Sequence, residues 1–384
     1  MSDSRPHVMF VGGVARPWGA EIALLRLLEG LRDRARITVV LLEHGPMVDR
    51  YRNAGAHVTV LAMSQDALTA SRQMTAGSLQ RVGAYTRAMF RLHRVVRTAA
   101  PDYVVGNTLR GSVLAGLAST LARRPFVWMA RDRLSSDYVS GASRLVFRAV
   151  LRLTARGVIA NSFATAATLP AHRRTVIVHD ALAREFFEVA PRSPMEHRQV
   201  GIIGRLAEWK GHRLFLLAFA EVFAGTDRRA RIVGESSGSD AISIAELRTY
   251  AHELGIAEQV SFSGHVDDVL HEYQQIDLLV HASLIPEPFG QVVAEALASG
   301  CLVVAPDTGG PAELIRNGFN GFAYTMGSVD SLVSALRKAD DMPLADRERM
   351  VQHARETIED LDPDKIVDGF LDFITSLRTR ATAT

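Results

Sequence analysis

Short continuous apolar runs, each followed by a helical pattern, recur along this chain in two series. No other feature constrains its fold as much. The first series is HVMFV (7–11), ITVVLLE (37–43), HVTVLA (57–62), PDYVVGN (101–107), FVWMA (126–130), GVIANS (157–162) and TVIVH (175–179). The second is VGIIG (200–204), ARIVG (230–234), VSFSG (260–264), IDLLVHA (276–282) and CLVVAP (301–306). A strand that is apolar throughout is buried on both faces, which predicts parallel sheets with helices packed on each side. Between 20 and 31, Ile22, Leu24, Leu25, Leu28 and Leu31 make one broad apolar stripe, the pattern of an amphipathic helix.

The two series are separated by EVAPRSPMEHRQ (188–199), a proline-containing polar stretch that reads as a linker. A chain of 384 residues is long for one core, so two doubly wound α/β domains are expected. The expected limits are 1–190, a linker at 191–199, a second domain over 200–360, and a closing helix and tail at 361–384. The stretch from about 328 to 378 predicts three helices, the last able to pack back on the first domain. Ligands of such sheets bind beyond the carboxyl ends of the strands, and the cleft between two such domains is the default site.

Charge is divided unevenly. Residues 1–198 carry 28 arginines, no lysine and 14 acidic side chains, whereas 199–384 carry 16 basic and 28 acidic ones. A basic first half attracts an anionic partner: a phosphate-bearing acceptor, an anionic membrane surface, or the acidic second half. Nucleic acid fits poorly, because no recognition module accompanies the charge. The single cysteine, Cys301, excludes an intramolecular disulfide and offers no metal-ligand cluster. No apolar run reaches the roughly 18 residues of a membrane span, and MSDSRPHVMF lacks the signal-peptide pattern. A cytoplasmic protein is expected, with the inner face of the plasma membrane as one location for it.

Five strand ends carry the chemistry. VGGVARPWGAE (11–21) follows the first strand and opens the first helix. Gly12 and Gly13 allow a tight turn and close approach to a ligand, and the helix start offers free N–H groups to an anion. A plain turn explains the same residues, and the dinucleotide spacing G-x-G-x-x-G is absent. In IIGRLAEWKGH (202–212), Gly204 ends a strand and Arg205 and Lys210 follow it. A forked guanidinium and a mobile ammonium together suit a diphosphate.

PEPFGQVVAEALASG (286–300) opens as a loop and continues as a helix from near Gly290, with Val292, Val293, Ala296 and Leu297 expected on its buried side. The first N–H groups, near Gly290, Gln291 and Val292, are available to a phosphate or a sugar hydroxyl. Glu287 lies in the loop and Glu295 one turn beyond Gln291, so the two carboxylates bracket a ligand rather than form an adjacent acid–base pair. APDTGGPAEL (305–314) supplies a compact turn, and GHVDD (264–268) offers backbone groups at His265 and Val266 to a base. His265 has no clustered partners that would make it a metal ligand.

In order and spacing, GRLAEWKG, the Glu-x7-Glu pair in EPFGQVVAEALASG, and GGPAEL resemble the second domain of retaining glycosyltransferases of the family-four type. GG…GAE near the N-terminus is similar to the first loop and helix of that family. The likeness is strong from 200 to 325 and weak across the first domain. It implies the GT-B fold, two Rossmann-like domains facing across a cleft. It implies that Arg205 and Lys210 hold the donor diphosphate, Glu287 the transferred sugar and Glu295 the ribose. The backbone at Phe289 and Gly290 would line sugar and phosphate, and Gly12 and Gly13 would close the donor site. Metal is not usually required in that family, and two cations can take its charge role. Retention would proceed by front-side attack, the leaving phosphate accepting the acceptor's proton.

Three positions depart from the family pattern. Arg131, in FVWMARD, stands where a histidine is frequent near the transferred sugar, Asn107 stands for another histidine, and His179-Asp180 replaces a frequent Asn-Gly. Arginine cannot serve as a base, so Arg131 would hydrogen-bond the sugar or an anionic acceptor. In RVGAYTRAMFRLHRVVRTAA (81–100), Arg87, Arg91, Arg94 and Arg97 share one helical side, with Met89, Phe90, Leu92, Val95 and Val96 on another. That is either a solvated face or a dock for anionic lipid or a phosphorylated acceptor. The expected function is retaining transfer of a hexose from a UDP- or GDP-sugar to an acceptor hydroxyl. The product would be a cell-envelope glycolipid, a polysaccharide or a natural-product glycoside. The alternatives are a catalytically silent nucleotide-sugar binder and an epimerase on the same fold.

Overall fold

All twelve runs named above form β-strands in the structure, a computed structural model that describes residues 5–63, 79–189, 199–238 and 240–377. The chain divides into two compact units, Met1–Ala181 with Pro363–Thr384, and Leu182–Asp362. Segment 182–189, expected to finish the first domain, belongs to the second. Leu182 and Phe186 are buried in the second unit's core, and the Leu182 amide donates to the Leu361 carbonyl at 3.1 Å. The expected linker lies, apart from Gln199, outside the described residues.

The first unit holds a seven-stranded sheet: β1 (His7–Gly12), β2 (Arg36–Leu41), β3 (His57–Val60), β4 (Tyr103–Gly106), β5 (Phe126–Ala130), β6 (Ala155–Ala160) and β7 (Thr175–Ile177). The order is β3-β2-β1-β4-β5-β6-β7, and every pairing is parallel. Successive residues point to opposite faces. Val8 and Phe10 therefore enter one core while Met9 and Val11 enter the other. The last helix, Pro363–Ser376, completes the first of these cores with Val367, Phe370 and Ile374, and Phe370 stacks on Phe10 at 5.8 Å.

The second unit holds β8 (Gln199–Ile203), β9 (Arg229–Val233), β10 (Val260–Gly264), β11 (Leu278–Val280), β12 (Leu302–Pro306) and β13 (Phe322–Tyr324). Their order is β10-β9-β8-β11-β12-β13, again parallel throughout. β13 was not expected; its three residues follow a turn and carry too short an apolar run to stand out. In each sheet the strand order reverses beside the first strand, between β1 and β4 and between β8 and β11. A doubly wound sheet leaves its ligand crevice at that reversal.

Candidate active site

The residues after β8 and β11 meet at the second unit's reversal point. Lys210 closes a short 3-10 turn, Glu208–Lys210, and Gly211 follows with φ +74°. A Cβ at Gly211 would lie 1.9 Å from the Ala282 carbonyl oxygen, so only glycine lets the two loops touch. The Leu284 amide donates to the Trp209 carbonyl at 2.7 Å and fastens the loops together. Lys210 Nζ thereby comes 2.7 Å from Glu287 Oε1. Ser283 Oγ donates to the same oxygen, and His281 Nε2 lies 3.2 Å from it. Burial works to raise the Glu287 pKa, but Lys210 and then His281 outweigh it and hold the carboxyl well below the usual carboxylate range. Lys210 keeps two of its three N–H donors beyond this pair.

The loop carrying Glu287 is braced by the next strand's turn. The Gly310 amide donates to the Glu287 carbonyl at 2.9 Å, and Phe289 is buried against the same core as Val293 and Leu297. Gly290 is the cap residue of the helix Gln291–Ser299. That helix is buried on more sides than expected: Val292 is only partly covered, while Ala294 and Glu295 are buried with Val293, Ala296 and Leu297. Tyr273 Oη donates to Glu295 Oε2 at 2.9 Å. Gln291 Nε2 is buried without a hydrogen-bond partner among the described residues.

Arg205 follows Gly204, and its guanidinium is gripped by the loop after β9. Its Nη1 and Nη2 donate to the two Asp240 oxygens at 2.7 and 3.0 Å, and Nη1 also donates to the Ser237 carbonyl. Arg205 and Lys210 both lie against the Trp209 ring, at 5.9 and 4.6 Å from its centroid. The two cations thus share one aromatic ring. His265 is half-exposed at the end of β10, 3.9 Å from Glu235, and Val266 packs into the core. No hydrogen bond or ion pair joins either residue to the Lys210–Glu287 pair among the described residues.

The first unit's candidates gather at its own reversal point. Gly12 ends β1, and the Gly13 amide donates to Thr108 Oγ1 at 3.0 Å; Thr108 also caps the helix Leu109–Leu121. The three departures from the family pattern form one network. Arg131 Nε donates to Asp180 Oδ1 at 2.7 Å and Nη1 to Asn107 Oδ1, and Asn161 Nδ2 donates to Asp180 Oδ2 at 3.0 Å. Glu21 is buried nearby in charge terms. Burial first, then the charge of Asp132, pushes its pKa up to about 8.

Sequence reasoning did not single out His281, Ser283, Trp209, Asp240, Asn161 or Glu21. His281 and Asn161 carried a usable signal, a polar residue at the carboxyl end of an apolar strand run. Glu21 and Trp209 lie in motifs quoted above but were given no role there, and the roles of Asp240 and Ser283 depend on which loop folds against which.

Residues 183–357 match the family model described as glycosyl transferases group 1. A stretch of 172 residues, 42% of this chain and 40% of the relative, is 31% identical to D-inositol 3-phosphate glycosyltransferase of Corynebacterium jeikeium. Another of 160 residues, 41% of this chain and 45% of the relative, is 30% identical to the lipopolysaccharide core biosynthesis mannosyltransferase LpcC of Rhizobium leguminosarum bv. viciae. The chain thus spans less than half the length of these curated relatives. The crystal structure of Anabaena HepE in complex with UDP and glucose superposes with a TM-score of 0.83 at 25% identity, covering 97% of this chain and all of that one. With the two parallel sheets, this likeness shows a GT-B fold.

Proposed function

We propose, on the match of residues 183–357 to the glycosyl transferases group 1 model, that this chain is a hexosyltransferase of that family that keeps the anomeric configuration. The donor is a nucleoside-diphosphate hexose, of the UDP or GDP type, and the acceptor presents a hydroxyl. The observation that carries this reading is the buried Lys210–Glu287 pair at the β8/β11 reversal, with Arg205 beside it along the Trp209 ring. Lys210 has two donors left for phosphate oxygens, and Glu287, held ionised, accepts from a sugar hydroxyl. Glu295 receives the ribose hydroxyls, and the backbone at Phe289, Gly290, Gln291 and Val292 lines sugar and phosphate.

In this reading the chain supplies positioning and charge rather than a strong base. Arg205 and Lys210 stabilise the departing diphosphate without a metal ion, and the diphosphate takes the acceptor's proton. Arg131 gives two of its five N–H donors to Asp180 and Asn107, and in this scheme the others are left to the sugar or an anionic acceptor. An anionic or lipid-linked acceptor suits the first unit, where Arg87, Arg91, Arg94 and Arg97 are exposed. Contact with an anionic membrane surface would then place enzyme and acceptor together.

The test is a thermal-shift panel of UDP, GDP, ADP, dTDP and their sugar conjugates, with and without Mg²⁺. A ligand that binds only the folded chain raises its midpoint by linkage. One responsive nucleotide names the donor base, and the same response without Mg²⁺ supports the metal-free scheme. No response to any of them would count against a donor site here.

A further inference from the structure

The grip on Arg205 is more elaborate than an ion pair on a surface. Backbone bonds tie the loop after β9 to the segment after β8: Leu206 N to Glu235 O at 2.9 Å, Glu208 N to Asp240 O at 3.1 Å, and Ile242 N to Leu206 O at 3.1 Å. Residue pairs Leu206–Ser236 and Ala207–Ala241 form isolated β-bridges, the first parallel and the second antiparallel. The loop's position is therefore set by main chain, whatever Arg205 does. Gly238, at φ +92°, lies so close that a Cβ there would sit 2.5 Å from Arg205 Nη1. The guanidinium occupies a seat walled by Ser237, Gly238, Asp240 and Trp209.

A guanidinium has five N–H donors. Two go to Asp240 and one to Ser237, all from the Nη1–Nη2 end. The remaining two, on Nε and on Nη2, form the fork along the other edge, and the structure gives them no acceptor among the described residues. Such a side fork matches two oxygens of one phosphate. Resting on the donor reading above, we propose that Asp240 is the positioning residue of the diphosphate site, holding Arg205 by one fork so that the other is presented to the donor's second phosphate. A free arginine would lose rotamer entropy on being fixed, and a seated one has already lost it. Arg205 in turn holds Asp240 below the usual carboxylate range, chiefly through its hydrogen bonds, so the carboxylate is ionised at neutral pH.

The experiment is calorimetric titration of the full chain with UDP and UMP, and with GDP and GMP. The variants are Asp240→Asn, Asp240→Glu, Gly238→Ala, Arg205→Ala and the double variant Arg205→Ala/Asp240→Asn. Asp240→Asn and Gly238→Ala are expected to weaken the diphosphate about tenfold, the worth of a misaligned charge-assisted pair. The monophosphate affinity should not move, Asp240→Glu should recover most of the loss, and Asp240→Asn should cost nothing further once Arg205 is gone. A merely structural role would weaken both nucleotides and persist in the Arg205→Ala background, and either result would overturn the proposal. So would tighter diphosphate binding by Asp240→Asn, which would make Asp240 a competitor of the phosphate. If the wild type binds neither nucleotide pair, the donor reading itself fails and this role fails with it.

Discussion

Arg131 Nε and Asp180 Oδ1 lie 2.7 Å apart with both side chains almost wholly buried, 5% and 8% exposed. Asn107 and Asn161 complete the pair from the ends of β4 and β6. Removing one partner of a buried pair strands the other charge. Arg131→Met or Asp180→Ala should each lower stability by about 3–5 kcal/mol, and the double change should cost less than the two singles together. Chemical denaturation of the four proteins measures this; additive losses would mean that the pair is not coupled.

Glu21 makes stability depend on pH in a definite direction. Its carboxyl, ordinarily at 4.5, is pushed up to about 8 in the folded chain. Between those values the unfolded chain has released a proton that the folded chain still holds, so this residue's contribution falls as pH rises through the window and levels off above it. Glu21→Gln removes the effect. Its stability relative to wild type should rise from pH 5 to pH 8 by on the order of a few kcal/mol. A difference that stays flat would show that Glu21 ionises normally.

Glu287 has the opposite sign. Its folded pKa is depressed, so the stability it contributes is present above its ordinary value of 4.5 and is lost as pH falls through the lower folded value. Glu287→Gln should flatten the acid limb of the wild-type stability curve. Glu287→Ala and Lys210→Ala should each abolish transfer, by about 10²-fold or more, as expected for groups aligned on the reacting centre. Full activity in both would remove this pair from the site.

Gly211→Ala tests how the pair is assembled. The residue has φ +74°, and its new methyl would meet the Ala282 carbonyl at 1.9 Å. Left-handed strain alone costs about 1 kcal/mol or more, and separating the loops would draw Lys210 away from Glu287. Turnover should fall by about 10²-fold with the fold retained, since a displacement near 1 Å suffices for that. Unchanged turnover would show that the loops have slack.

The arginine-rich helix Leu79–Ala99 has a membrane test. Arg87, Arg91, Arg94 and Arg97 are exposed, and among its apolar residues Phe90 is exposed too, contrary to the face expected for it. Leu145 and Leu153, on the helix Gly141–Thr154, are exposed as well, at 71% and 83%. No helix among the described residues is long and apolar enough to cross a membrane. Neutralising Arg87, Arg91 and Arg94 should reduce co-sedimentation with anionic vesicles, each charge being worth about 1 kcal/mol near the surface. Equal sedimentation would remove that contact.

Much of this was legible in the sequence because of solvent exclusion. A strand buried on both faces must be apolar throughout, so VMFV, VVLL, LLV and LVVA announce β1, β2, β11 and β12 without reference to anything distant. Turn and charged residues behave similarly: Gly204 closes a strand run, and Arg205, Lys210, Glu287 and Gly290 each follow one within a few residues. The sequence by itself therefore determined the two-sheet architecture and which strand ends carry charge.

Only the tertiary structure decided who meets whom. Lys210 faces Glu287 because β8 and β11, far apart in sequence, become neighbours at a reversal of strand order, while Asp240 seats Arg205, and Asn107, Arg131 and Asp180 form one network, because loops from different strands fold together. The helix Pro363–Ser376 has an amphipathic pattern readable anywhere, but its place against Phe10 in the first unit comes from a match of surfaces. Local pattern reflects burial, which each residue meets alone. Pairing of charges depends on long-range packing, which no single segment encodes.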